Sequence, residues 1–361
     1  MKKPIRIKDI ALRAGVSTGT VDRVIHNRGN VSLVKKKRIL EVMDELGYEK
    51  NIIASALAFN RNFRIAALLP DPKVDGYWEA PKAGVEHAIK SVQHFGVAVE
   101  MYLFDLYHAE SFVRKAKEIL KDEPDAILFS PLFSKESKWL LEEAEKRNIP
   151  NVMINTNIEN ENSLCYIGPD AYQSGVLAAR LLNFGLQKGD TVAILNLSKV
   201  RKNARHLIDK ANGFTDYFNG GRNTDLEIVQ YDFADFEEEN AMRVFMDKLF
   251  RRHQRLAGIF VTNSRSFRVA KALSSEQAKR VKIVGFDIIA ANLKYLRDNR
   301  IDFLINQNSV QQGYQGIMSL FNHFILKKEV RRIQHLPLDI VVLENYKYHL
   351  EEEKRFRMAF G

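Results

Sequence analysis

The chain has 361 residues, 45% hydrophobic and 28% charged, which suits a folded protein of two or three domains and excludes a disordered polyelectrolyte. Its single cysteine, Cys165, excludes an internal disulfide framework and suits a reducing compartment. Of the net charge of +10, residues 1–64 hold most: 14 Lys and Arg against 6 Asp and Glu, while the rest has 41 against 39.

That asymmetry points to a small basic module that meets a polyanion, attached to a nearly neutral body. No apolar h-region follows the basic start "MKKP", and no apolar run nears the ~18 residues of a membrane span, so a cytoplasmic protein is expected.

Residues 1–48 read as three short helices. "KDIALRAG" puts Ile10, Ala11 and Ala14 at helical spacing, and Gly15 permits a tight turn. "VSTGTVDRVIHN" restarts the helix with Ser17 as N-cap and an apolar stripe of Val21, Val24 and Ile25. In "SLVKKKRILEVMDELGY", Ser32 caps a third helix, Val34, Ile39, Val42, Met43 and Leu46 face inward, and Gly47 ends it. Two helices around a glycine turn plus a packing helix make a helix-turn-helix unit. Residues 49–61 form a linker in which Asn51 can cap one or two turns, "IIASALA", a helix too short to be stable alone.

From residue 62 to 347 the pattern alternates. Nine candidate strands are "RIAALLP", "VAVEMYLFD", "DAILFSPL", "NVMINTN", "TVAILNLS", "LEIVQYD", "AGIFVTNS", "VKIVGFD" and "DFLINQN", most separated by amphipathic helices. Continuous apolar strands between helices indicate parallel sheets covered on both faces, and nine suit two doubly wound lobes. Residues 348–361 read as a charged, loosely ordered tail.

Catalytic signatures are few. "GVSTG" fits the G-x-S-x-G elbow of serine hydrolases, but that elbow needs a strand before the serine, and here a helix precedes Ser17. There is no G-x-G-x-x-G, no Walker A sequence and no H-x-x-x-H pair, and one cysteine cannot build a zinc site. The reading is therefore a non-enzyme with no catalytic residue, no cofactor and no metal.

The segment Ile7–Leu57, "IKDIALRAGVSTGTVDRVIHNRGNVS" through "ELGYEKNIIASALA", closely resembles the DNA-binding end of the LacI family of bacterial regulators. The match runs without a gap through Asp9, Ala14-Gly15-Val16-Ser17, Thr20-Val21, Arg23-Val24, Val31-Ser32, Leu46-Gly47-Tyr48, Asn51, Ala54 and Leu57. The rest of the chain resembles, less tightly, that family's effector domain, which is similar to periplasmic sugar-binding proteins. The expected fold is an all-α helix-turn-helix domain followed by an α/β body of two doubly wound parallel-sheet lobes.

The resemblance implies operator DNA contacts at Ser17, Thr18, Gly19, Thr20, Asp22, Arg23, His26 and Asn27, and at Asn51, Ala54 and Leu57 in the hinge. In a helix-turn-helix the second helix enters the major groove, and Arg23 can bond guanine with both arms. The family usually carries Ser where Asp22 stands. Asp22 can accept from cytosine N4, pair with His26 one turn on, or merely face solvent. In the family a hinge leucine wedges the minor groove; Leu57 matches it, with packing of hinge against domain as the alternative. Lys50 replaces the usual Pro before Asn51.

For the cleft between lobes the resemblance implies Asp170, Asn263, Asp287 and Gln307 as groups for the hydroxyls of a sugar. Ser264 replaces the acid that usually follows Asn263. Tyr77, Trp78 and Phe133 can stack on a sugar face, and Lys210 stands where an Arg is frequent. Bland alternatives stay open: Tyr77 and Trp78 as packing, Asp287 as a helix cap. The expected protein is a transcription regulator, homodimeric with a tetramer left open, whose operator affinity responds to a sugar or sugar derivative. The rival is a stand-alone sugar-binding transport component, which should lack the basic helix-turn-helix.

Overall fold

Gly15 sets the geometry of the first helices. Its φ of +67° is left-handed, and its amide reaches back to the carbonyls of Ala11 and Leu12, which closes α1 (Ile7–Ala14) within one residue. Helix α2 (Thr18–Ile25) starts after Ser17, whose Oγ accepts from the Thr20 amide at 3.2 Å, the geometry of an N-cap. Helix α3 (Leu33–Leu46) packs across both.

The computed structural model describes residues 5–25, 29, 31–46, 48, 62–158, 162–199, 205–220 and 225–359. Two units separate, Met1–Asn60 and Arg61–Gly361. The first has a small core of Ile10, Ala11, Val21, Val24, Ile39 and Val42, with Ala14, Ile25, Met43 and Leu46 partly buried around it. Val34, expected inside, is 80% exposed. It precedes Ile39 by five residues, which turns it about 140° away from the inward face. His26, Asn27, Gly47, Asn51, Ala54, Leu57 and the rest of the expected hinge lie outside the described residues.

In the second unit the apolar runs become two six-stranded sheets. The first lobe holds β1 (Phe63–Pro70), β2 (Val97–Phe104), β3 (Ala126–Phe129), β4 (Asn151–Ile154) and β5 (Cys165–Gly168). The second holds β6 (Thr191–Leu197), β7 (Glu227–Phe233), β8 (Leu256–Val261), β9 (Lys282–Phe286) and β10 (Phe303–Asn306). Two short strands, β11 (Ile333–His335) and β12 (Asp339–Val341), complete them, in the orders β11-β5-β4-β3-β1-β2 and β12-β10-β9-β8-β6-β7. All neighbours are parallel except β10 and β12. All nine expected strands are present. Three further strands, β5, β11 and β12, are not among those expected from the sequence; they are three or four residues long.

The chain crosses between lobes three times: after β5, after β10, and between β11 and β12. Each lobe carries a helix pair packed backbone to backbone. A Cβ on Gly84 would lie 1.9 Å from the Val310 carbonyl, and one on Gly313 2.0 Å from that of Pro81. In the second lobe a Cβ on Gly175 would lie 1.9 Å from the Lys210 carbonyl, and one on Gly213 2.0 Å from that of Tyr172. Only residues without a Cβ allow these approaches, and they fix the helix Arg205–Asn219 that carries Lys210.

The end of the chain corrects the sequence reading. Residues Tyr346–Ala359 form a helix rather than a loose tail, and Tyr346 and Leu350 pack against the core of the second lobe. Their i, i+4 spacing is the signal that the surrounding charges masked. Among the described residues no helix is long and apolar enough to cross a membrane.

Candidate functional site

On the first unit, α2 turns Val21 and Val24 into the core and leaves Thr18, Gly19 and Arg23 exposed on the opposite side. Thr20 and Asp22 are half-buried. The Ser17 hydroxyl lies 2.9 Å from the Thr20 hydroxyl as well as capping the helix. The Ser17 hydroxyl is thus engaged by a hydroxyl and an amide of its own helix, as an N-cap is, and these two do not make a nucleophile and base. Helix α3 adds exposed Lys35, Lys37 and Arg38 to the same unit, and Arg13 ties α1 to α3 through Glu45 at 3.2 Å.

In the second unit the parallel strands of both lobes end at one cleft, where doubly wound folds place their ligands. Loops after β1, β2, β3 and β4 supply Asp75, Tyr77, Trp78, Tyr107, Phe133 and Asn155 from one side. The other side gives Ser198, His206, Lys210, Asn263, Ser264, Arg265 and Asp287, and Gln307 comes from the crossing after β10. The cavity they line is about 100 Å³.

Seven of the eight ligand residues expected from the sequence meet there: Tyr77, Trp78, Phe133, Lys210, Asn263, Asp287 and Gln307. Asp170 does not. Its Oδ1 accepts from the Gln173 amide at 2.9 Å and caps the helix Ala171–Asn183. An acid directly before a helix serves its free amides, and that is the bond this one makes.

The polar groups of the cleft satisfy one another. Lys210 donates to Gln307 Oε1 at 2.9 Å, and Gln307 Nε2 donates to both oxygens of Asp287 at 3.0 Å. All three are buried, and the Lys210 ammonium lies 3.5 Å from the centre of the Phe286 ring. Burial pushes the Lys210 pKa down and that of Asp287 up, while their mutual attraction opposes both shifts. Asp287 and Asn155 each hold a left-handed φ of 68°, a costly conformation found where structure around it is over-determined.

Contacts also close the cleft from lobe to lobe. Arg265 of the second lobe pairs with Asp75 of the first and donates to the Tyr107 hydroxyl at 3.2 Å. Tyr107 in turn donates to Glu237 at 3.1 Å, and Glu237 pairs with Lys199. Across the middle, Thr156 Oγ1 lies 3.2 Å from His206 Nδ1. Burial, with the nearby Lys210 and Arg265 cations, pushes the His206 pKa down to about 3. Tyr77 receives hydrogen bonds from Asn155 at 2.6 Å and Ser309 at 3.0 Å, and burial raises its pKa well above the usual range.

Sequence reasoning passed over Asp75, Tyr107, Asn155, His206, Ser264 and Arg265 as ligand groups. Five of these follow strand ends, so applying the strand-end rule to every strand would have found them. It also passed over Asn292, which is fully buried. Its Nδ2 donates to the carbonyls of Ser264, Phe286 and Asp287 at 2.8–3.1 Å, and its Oδ1 accepts from the Phe267 amide. Asn292 thus pins together the two loops that carry Arg265 and Asp287. Among the described residues no group of three His, Cys, Asp or Glu is placed to hold a metal ion.

Two doubly wound lobes joined by three crossings, with a polar cleft at their strand ends, define a two-lobed binding protein. Comparison with known proteins agrees: residues 65–328 match the family model of the periplasmic binding protein domain, and residues 6–51 match that of bacterial regulatory proteins of the lacI family. The chain therefore belongs to the lacI family of bacterial regulatory proteins, DNA-binding transcription regulators with a sugar-binding-like domain as their body. It is 24% identical to the transcriptional repressor PurR of Pasteurella multocida over 354 residues, 95% of this chain and 99% of that one. It is 33% identical to the transcriptional regulator DegA of Bacillus subtilis over 150 residues, 41% of this chain and less than half, 43%, of that protein. Among solved structures, a candidate LacI transcriptional regulator from Bacteroides fragilis shares the fold with a TM-score of 0.71 at 24% identity, over 80% of this chain and 99% of that one. The glucose-galactose binding protein GanP from Geobacillus stearothermophilus does so with a TM-score of 0.69 at 21% identity, over 78% and 98%.

Proposed function

We propose that this regulator binds operator DNA through α2 and that a sugar or sugar derivative in the interlobe cleft controls its affinity for that DNA. The observation that carries the reading is the Lys210–Gln307–Asp287 chain beside the Asp75–Arg265 bridge. Carboxylate, amide and cations converge next to Tyr77 and Trp78, the mixture that vicinal hydroxyls and a sugar face require. A ligand enters by exchanging its hydroxyls for these internal partners, so binding alters the contacts that tie the lobes. Whatever lowers DNA affinity must itself bind less well to the DNA complex. On the DNA, Ser17, Thr18, Gly19, Thr20, Asp22 and Arg23 face the major groove with His26 and Asn27 beyond them, and Asn51, Ala54 and Leu57 serve the hinge. The protein acts as a homodimer on a near-palindromic site.

The test is operator binding against salt and sugar. Genomic footprinting supplies the site, and affinity for it should fall steeply with salt while shifting when the right sugar is present. Sugar binding without specific DNA binding at any salt concentration would favour the transport-component reading instead.

A further inference from the structure

The cleft continues into a second chamber. On the far side of the Asp75–Arg265 bridge lies a cavity of about 630 Å³, against about 100 Å³ inside. Asp75, Tyr77, Tyr107, Ser264, Arg265 and Asp287 line both, so the two are neighbours through a shared waist. Ligand pockets run from roughly 300 to 1,000 Å³. The inner chamber alone falls below that range, and the outer one sits inside it.

The outer chamber has its own chemistry. Phe267 and Arg268 come from the helix Ser266–Ala272, and the Arg268 guanidinium lies 5.0 Å from the Phe267 ring centre. Glu79 comes from the first lobe and Glu237 from the second. Leu350, Glu353 and Lys354 of the helix Tyr346–Ala359 form a further wall. A ring and apolar patches beside carboxylates and cations can take a second polyol with an apolar face, as the inner set takes the first.

We propose that the effector is a saccharide of at least two units, with one unit in the inner chamber and the next in the outer chamber against Phe267 and the helix Tyr346–Ala359. The linkage between units passes the waist, where Asp75 and Arg265 exchange their mutual bond for hydroxyls of the ligand. This rests on the reading of the cleft as a sugar site. The wall that sets effector length is then a helix from the end of the chain.

The test is calorimetry on the full chain with a panel of free hexoses and pentoses and the disaccharides made from them. At least one disaccharide should bind ten-fold or more tighter than its component monosaccharides. Ala290, exposed and lining only the outer chamber, is the position to block. Ala290→Trp should weaken the disaccharide at least ten-fold and leave monosaccharide binding within two-fold. Phe267→Ala, which opens space rather than filling it, should cut the same preference several-fold, and it serves if Ala290→Trp does not fold. Monosaccharides binding as tightly as any disaccharide, or variants that weaken both alike, would overturn the two-chamber assignment while leaving the sugar site. Binding of no sugar at all would overturn both.

Discussion

The two units of this chain manage their polar groups in opposite ways. In the first, Thr18, Gly19 and Arg23 stand exposed on one helix over a core of six buried residues. In the second, Lys210, Gln307 and Asp287 form one bonded chain and Asp75 and Arg265 a second bonded pair, inside a cleft framed by two six-stranded sheets. A partner of the first unit meets an open surface, and long-range charge assists it. A ligand of the second must replace bonds that already exist, so its affinity is a difference between two satisfied states. The open surface favours fast, salt-sensitive encounter; the closed cleft favours selectivity and a change of shape.

The largest effect should separate the two units. Ile39 is fully buried in the small core, and Ile39→Ala should cost about 2–5 kcal/mol. A core of this size rarely supplies more than about 3–5 kcal/mol, so the first unit should unfold. Operator binding and the protease resistance of residues 1–46 should be lost while the second unit keeps its melting temperature. A matching fall in the second unit's melt would show that the two fold together. Next in size is Gly175→Ala, whose new Cβ would collide with the Lys210 carbonyl at 1.9 Å. Overpacking of this kind costs about 1–3 kcal/mol, read by urea unfolding. It should also reduce stabilisation by ligand, because Lys210 moves. Gly185→Ala, with its nearest neighbour at 3.6 Å, should do neither.

The contrast between Ile39→Ala and Gly175→Ala also marks what the sequence can and cannot convey. The first unit was legible because its signals are local: Ser17 before a stripe at 21 and 24, Gly15 at the turn, glycine and apolar residues in register with a pattern known over fifty residues. Its one misplaced core residue, Val34, lay off the phase of Ile39 and Val42. In the cleft, seven of eight expected residues arrived because strand ends are predictable wherever strands are. Asp170 caps a helix instead of lining the cavity, and a helix cap and a ligand carboxylate look alike in sequence. The Asp75–Arg265 bridge joins residues 190 apart, and Asn292 acts through carbonyls of two other loops. Neither leaves a local pattern, since only the folded lobes bring those groups together.

A smaller effect should appear with pH. His206 is held neutral in the fold, with its pKa pushed down from 6.5 to about 3. Unfolding lets it take up a proton, so its contribution is fully present above pH 6.5 and is lost as pH falls towards 3. Asp287 works the other way, because its pKa is raised and its burial costs more as pH climbs. Comparing the wild type with His206→Asn isolates the first effect. The variant should lose less stability between pH 6.5 and pH 4, by on the order of 2 kcal/mol, in thermal or urea melts of the second unit. Parallel pH curves would mean that the imidazole is protonated in the fold despite the Lys210 and Arg265 cations.

The smallest effect concerns Asp22, the acid on the helix we propose for DNA reading. Asp22 is half-buried on α2, between the exposed Thr18–Gly19 end and Arg23. If it only repels phosphates, Asp22→Ser tightens binding equally on every DNA sequence and changes the salt slope. If it accepts from a cytosine, the same change relaxes one base position by ~1 kcal/mol, the low end of base-pair discrimination, with little change in overall affinity. We expect the second outcome, scored by binding to an operator library varied at each position. Uniform tightening would place Asp22 among the phosphate-facing charges. The first unit's surface would then be open at every position, with sequence reading left to Arg23 and its short neighbours.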